Sequence, residues 1–65
     1  MIKENHFFKG SGGVYVIQSE NKSELETYLK AKKENIDFMQ SPMIEGIKEL
    51  PCGNYEGRVK YYGLD

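Results

Sequence analysis

Residues 10–19, GSGGVYVIQS, decide the fold, because they join a glycine-rich turn directly to a β-branched and aromatic run. The run VYVIQS has the composition of a strand and predicts one. Val14 and Val16 would share one side of this strand, and Tyr15 and Ile17 the other. Apolar side chains on both sides indicate a central strand rather than an edge strand.

The glycines before this strand are expected to turn the chain rather than to bind phosphate. A phosphate-binding loop stands between a strand and the N-terminus of a helix, whereas these glycines precede a strand. The preceding segment, IKENHFFK, alternates imperfectly and predicts the partner strand. Gly10–Gly13 is therefore expected to be a four-residue hairpin loop.

A helix is predicted over residues 21–34. Asn21 or Ser19 is the expected N-cap, and Glu24 follows Asn21 at the spacing of a capping box. Acidic residues are frequent in the first half and lysines in the last turns, as the helix dipole favours. The buried stripe would consist of Leu25, Tyr28 and Leu29.

The segment after the helix is open to two interpretations. Residues 43–50 are favoured as a strand, although Ser41 and Pro42 also suit the start of a short helix. The final run, RVKYYG, predicts a strand with Val59 and Tyr61 facing inward. Its outward residues would be Arg58, Lys60 and Tyr62.

Together these elements predict one domain spanning residues 1–65. The fold class is α+β: a two-layer domain in which one helix packs across one face of an antiparallel sheet of about four strands. The strands would form a hairpin before the helix and a strand pair after it. The helix stripe is expected to cover Val16, Ile47 and Val59, or the residues that share a face with them.

The inventory of reactive residues argues against an enzyme. Cys52 is the only cysteine and His6 the only histidine, so neither an intrachain disulfide nor a His/Cys zinc site is available. Nothing in the sequence places Cys52, in a turn, beside His6, near a terminus expected to fray. We therefore predict no catalytic residue, no metal and no cofactor, and the sequence assigns no role to Cys52.

Charge and hydropathy indicate a soluble protein of the cytoplasm. The net charge is −1, and no apolar stretch has the roughly 18 residues that a membrane span needs. The N-terminal residues MIKENHFFKG lack the apolar region of a signal peptide. A lone thiol is compatible with a reducing compartment.

A protein partner is the favoured functional expectation. One helix can cover only one face of the sheet, and more aromatic and methionine side chains remain than it can bury, which is typical of interfaces. The partner would dock on the open face or pair with the edge of the last strand. The expected contact residues are Phe7, Phe8, Arg58, Tyr61 and Tyr62.

The kind of partner follows only from what small proteins of this type do. Short chains without catalytic residues are frequent among the accessory proteins of bacteria and their phages. We expect a regulator that inhibits or redirects a larger host protein sterically, or a homodimer formed through the same surface.

Single-stranded nucleic acid is the alternative partner. Basic and aromatic side chains on a sheet can neutralise phosphates and stack on bases. This hypothesis requires the first and last strands to be neighbours and uses Lys9, Arg58, Lys60 and Tyr62. The near-zero net charge and the absence of an RNA-recognition signature count against it.

Overall fold

A four-stranded antiparallel sheet lies against one α-helix in the computed structural model, which describes residues 1–63. This arrangement confirms the predicted small α+β fold. The elements are β1 (Lys3–Lys9), β2 (Gly12–Ser19), α1 (Lys22–Asn35), a 3-10 turn (Phe38–Gln40), β3 (Met43–Glu49) and β4 (Tyr55–Tyr61). The prediction of a strand rather than a second α-helix after α1 is thus confirmed.

Both predicted caps take part in starting α1. The side chain of Asn21 accepts a hydrogen bond from the backbone N–H of Glu24 at 3.0 Å. The hydroxyl of Ser19 accepts from the N–H of Asn21 and donates to the Glu24 carboxylate. Because Asn21 is the cap, the helix proper begins one residue later than predicted.

The hairpin loop is shorter than the four residues predicted. Lys9 pairs with Gly12, so only two residues connect the strands, and Gly10 adopts a positive φ of 63°. Gly12 and Gly13 belong to β2. A Cβ on Gly12 would lie 2.6 Å from the carbonyl oxygen of Tyr61. These two glycines therefore serve close strand approach rather than the turn itself.

The sheet order is β1-β2-β4-β3, so the last strand is central. The prediction that β4 offers a free edge is wrong, because β2 and β3 pair with its two sides. The condition that the first and last strands be neighbours is also not met, since β2 lies between them. The outer strands are β1 and β3.

The core lies between α1 and one face of the sheet. It consists of four buried apolar side chains, Ile17, Leu25, Leu29 and Val59. The expectation that Val16 would lie under the helix is wrong, because the opposite side of β2, with Ile17, faces α1. Ile44 and Ile47 both pack against the core although they are three positions apart, because a β-bulge at Gly46 resets the alternation.

Within residues 1–63, no helix combines the length and the apolar character that crossing a membrane requires.

Candidate binding surface

The side of the sheet turned away from α1 is here called the open face. It carries a cross-strand row of apolar side chains, here called the apolar row, which Lys60 on β4 interrupts between Val14 and Met43. Phe7 is paired with Val14, Val14 with Lys60, and Lys60 with Met43. Val16 follows on the same side of β2, and both valines are half-buried. Phe7 is 56% and Met43 49% exposed. Apolar side chains therefore remain accessible at both edges of this face.

Basic side chains lie within and around the apolar row. Strand alternation places on the open face five of the nine basic residues, namely Lys3, Lys9, Lys48, Arg58 and Lys60. Of the nine acidic residues within residues 1–63, only Glu45 and Glu56 share this face. The open face thus has an excess of three positive charges in a chain whose net charge is −1.

The negative charge of Glu56 is already compensated by neighbouring groups within the fold. Its carboxylate accepts a hydrogen bond from Gln18 at 3.1 Å and lies 3.4 Å from the Lys48 ammonium and 3.5 Å from the Arg58 guanidinium. The hydrogen bond from Gln18 and the two nearby cations hold the pKa of Glu56 below its ordinary value of 4.5, although burial acts in the opposite direction. Its charge is therefore partly unavailable to repel an anionic partner.

This arrangement predicts that the stability of the fold decreases in acid, and that Glu56 contributes to the decrease. A carboxyl with a lowered pKa in the folded state stabilises the fold above its unfolded pKa and loses that contribution as the pH falls through the folded value. The free energy of unfolding should fall as the pH drops below 4.5, and less steeply in Glu56→Gln. Urea melts between pH 3 and 6 would measure this. Glu26→Gln, on the exposed side of α1, is the control; equal slopes in all three proteins would contradict the prediction.

A cleft of about 580 Å³ opens where the open face meets the β1–β2 hairpin. Lys9, Arg58, Lys60 and Tyr62 all line it, so the four residues of the nucleic-acid hypothesis meet although β2 separates their strands. The Lys60 ammonium lies 5.4 Å from the centre of the Tyr62 ring. Glu45 also lines the cleft and adds one negative charge.

The five residues predicted to contact a protein partner do not form one surface. Phe7 and Arg58 lie on the open face, and Tyr62 stands at its end, 51% exposed. Phe8 and Tyr61 project from the other side of the sheet, because strand neighbours alternate. A single interface therefore does not include all five residues.

Tyr61 belongs to an aromatic group on the helix side of the sheet. His6 stacks on Tyr15 with 4.0 Å between ring centres, and its Nε2 is hydrogen-bonded to the Tyr61 hydroxyl. Phe8 lies 4.2 Å from the His6 ring. Burial raises the pKa of the Tyr61 phenol. His6 is thus held within β1 and is not part of a frayed terminus.

A polar contact joins the same edge strand to α1. Glu4 accepts hydrogen bonds from the Tyr28 hydroxyl at 2.8 Å and pairs with the Lys32 ammonium at 2.9 Å. The Lys32 contact holds the pKa of Glu4 below its usual range. These contacts give the helix-side residues of β1 a structural role.

His6 and Cys52 are not brought together. His6 lies in a cross-strand row with Tyr15 and with Val59 of β4. Cys52 is exposed in the turn that precedes the start of β4 at Tyr55. Among residues 1–63, no group of three or more His, Cys, Asp or Glu side chains is placed to hold a metal ion.

The structure adds residues to the candidate surface that the sequence interpretation had not assigned to it. Val14 and Val16 contribute apolar side chains on the central strand β2, Met43 contributes one at the β3 edge, and Lys3 and Lys48 contribute to its charge. The alternation of Val14 and Val16 was visible in the sequence. The sequence did not indicate which side of β2 the helix covers.

No protein-family model matches the chain, and no curated protein or solved structure is similar enough to it to count as a relative.

Proposed function

We propose that this protein is a non-enzymatic interaction module of the cytoplasm, and that a larger protein docks on its open face. The observation that carries the proposal is the apolar row, which α1 does not cover: Phe7 and Val14 lie on neighbouring strands, and Met43 lies beyond Lys60. The module would act as a regulator, in the manner of an accessory or phage protein, by sterically covering a site on its partner. It needs no cofactor for this action.

The composition of the row supports a protein interface. Phenylalanine, methionine and arginine are enriched at such interfaces, and a few aromatic or arginine side chains usually dominate their affinity. Phe7 and Arg58 are side chains of this kind and lie on the same face. The half-buried valines between them provide a flat apolar floor. A partner with a complementary apolar side chain would exclude water from this centre.

A single-stranded nucleic acid remains the second candidate, because Lys9, Arg58, Lys60 and Tyr62 line one cleft. One feature favours the protein partner over it. The central strand β2 presents Val14 and Val16 to the open face, and these aliphatic side chains give bases no aromatic surface to stack on.

Phe7→Ala is expected to reduce partner capture by about tenfold, as the loss of an aromatic contact residue typically does. Phe8→Ala is the matched control, because Phe8 is the adjacent residue, has an exposed ring and points to the other side of the sheet. Both variants should fold.

The measurement is capture from nuclease-treated bacterial lysate on immobilised wild-type and variant proteins, with each retained protein quantified by mass spectrometry. A protein that is retained by wild type and by Phe8→Ala, and lost with Phe7→Ala, supports docking on the open face. Loss only with Phe8→Ala would move the interface to the helix side. Failure of all three proteins to retain anything without nucleic acid present would overturn the proposal.

A further inference from the structure

We infer that the partner presents an acidic segment with an apolar side chain at its centre, and that its carboxylates bind Lys9, Arg58 and Lys60 around the cleft of the open face. This inference rests on the proposed function. Its basis is the separation of charge in the fold. The open face holds an excess of three positive charges, whereas the chain as a whole carries −1.

The contacts that the cations already make leave capacity for an anionic partner. Arg58 is about half exposed, and one of its terminal nitrogens lies 3.5 Å from Glu56, which is itself shared with Gln18 and Lys48. A guanidinium has five N–H donors and binds carboxylates in a bidentate geometry. Lys9 and Lys60 line the same cleft as Val14; Lys60 pairs with Val14 across β2 and β4, and Lys9 pairs with Gly12 of β2.

The position of the valines in the open face defines where the partner's apolar and acidic side chains lie. Val14 lines the cleft between the cations, so a bound segment places an apolar side chain at its centre and carboxylates around it. Complementary charges of this type mainly accelerate association and select the partner, while apolar burial in the centre contributes affinity. Such a complex should weaken with salt without being abolished by it.

The charge pattern also argues against a second copy of this chain. Two open faces placed against each other would bring together two surfaces that each carry an excess of positive charge, and such juxtaposition is unfavourable. Self-association through this face is therefore not the expected state.

The inference is tested with three probes on the full chain: a peptide with four glutamates flanking one leucine, the same peptide with lysines in place of the glutamates, and an oligothymidylate. Binding is followed through the backbone amide resonances of the ¹⁵N-labelled protein. The acidic peptide should shift amides of residues 9–14 and 58–62, and the basic peptide should shift none of them. Tighter binding of the oligothymidylate at these amides would overturn the inference in favour of nucleic acid.

A pair of double variants tests the same inference against the captured partner. Lys9→Glu/Lys60→Glu should weaken binding by at least tenfold, whereas Lys30→Glu/Lys33→Glu on α1 changes the net charge equally and should have little effect. If both double variants weaken binding equally, or if neither weakens it, the inference of an acidic partner is overturned. If Phe7→Ala still abolishes capture in that case, the proposed function stands. If nothing depends on Phe7, the proposed function has failed instead.

Discussion

Leu29→Ala is expected to leave the chain largely unfolded at room temperature. Leu29 is 1% exposed and belongs to the core of four buried apolar residues. Truncating a buried leucine to alanine typically costs about 2–5 kcal/mol, because apolar burial is lost and a cavity remains. A core in a domain of this size rarely supplies more than about 3–5 kcal/mol. One truncation thus removes most or all of the stability.

Far-UV circular dichroism and urea melts would measure this loss. The control is Thr27→Ala, on the exposed side of the same helix, which should change the free energy of unfolding by no more than about 0.5 kcal/mol. A Leu29→Ala protein that melts cooperatively near the wild-type midpoint would contradict the prediction. It would mean that contacts outside this core, such as those of an oligomer, carry the stability.

The small core has a consequence for the proposed function. Cys52 is the only cysteine, so no disulfide within the chain adds to the stability of the fold. Any partner that binds only the folded state stabilises it by mass action, by roughly 2.7 kcal/mol at a hundred times the dissociation constant. Partner binding should therefore raise the melting temperature measurably.

Local signals in the sequence predicted most of the elements correctly. Asn21 and Glu24 located the start of α1, because capping depends on residues close together in the chain. The β-branched residues of β2 and its apolar character on both sides indicated a central strand. The two-residue hairpin was missed because Gly12 and Gly13 resemble loop residues. Their small size instead allows β2 to approach Tyr61 and Phe7 closely.

Strand order and the covered face were not accessible from local patterns. Val16 and Ile17 are equally apolar neighbours, so alternation alone does not show which of them meets the helix. That choice depends on long-range pairing, which places Ile17 opposite Gly57 and beneath Leu29.

The candidate surface was predictable to a similar extent. Alternation correctly placed Arg58 and Lys60 together, but it did not separate Phe7 from Phe8, because aromatic residues occur on both sides of β1. The insertion of β4 between β2 and β3 then determined which cations share the cleft. The residues of the surface could thus be named in part, whereas their grouping required the fold.

Gly57→Ala is expected to destabilise the domain by about 1–3 kcal/mol, the usual cost of inserting a methyl group into a packed core. Gly57 is buried in β4, and a Cβ built on it would lie 2.4 Å from Leu29 Cδ1. The new methyl group would meet the end of the Leu29 side chain, which would have to leave its packed position against the sheet. The loss would be measured as a lower urea midpoint with an unchanged denaturant slope.

The effect of the same substitution should reverse when Leu29 is truncated. In Leu29→Ala the atoms that meet the new methyl group are absent, so the alanine at position 57 partly fills the cavity. Alanine also loses less backbone entropy than glycine on folding, by about 0.5–1 kcal/mol. Leu29→Ala/Gly57→Ala should therefore have a larger folded fraction than Leu29→Ala, measured by circular dichroism in a stabilising osmolyte. Additive losses in the double variant would show that Gly57 and Leu29 do not meet, and that α1 crosses the sheet elsewhere.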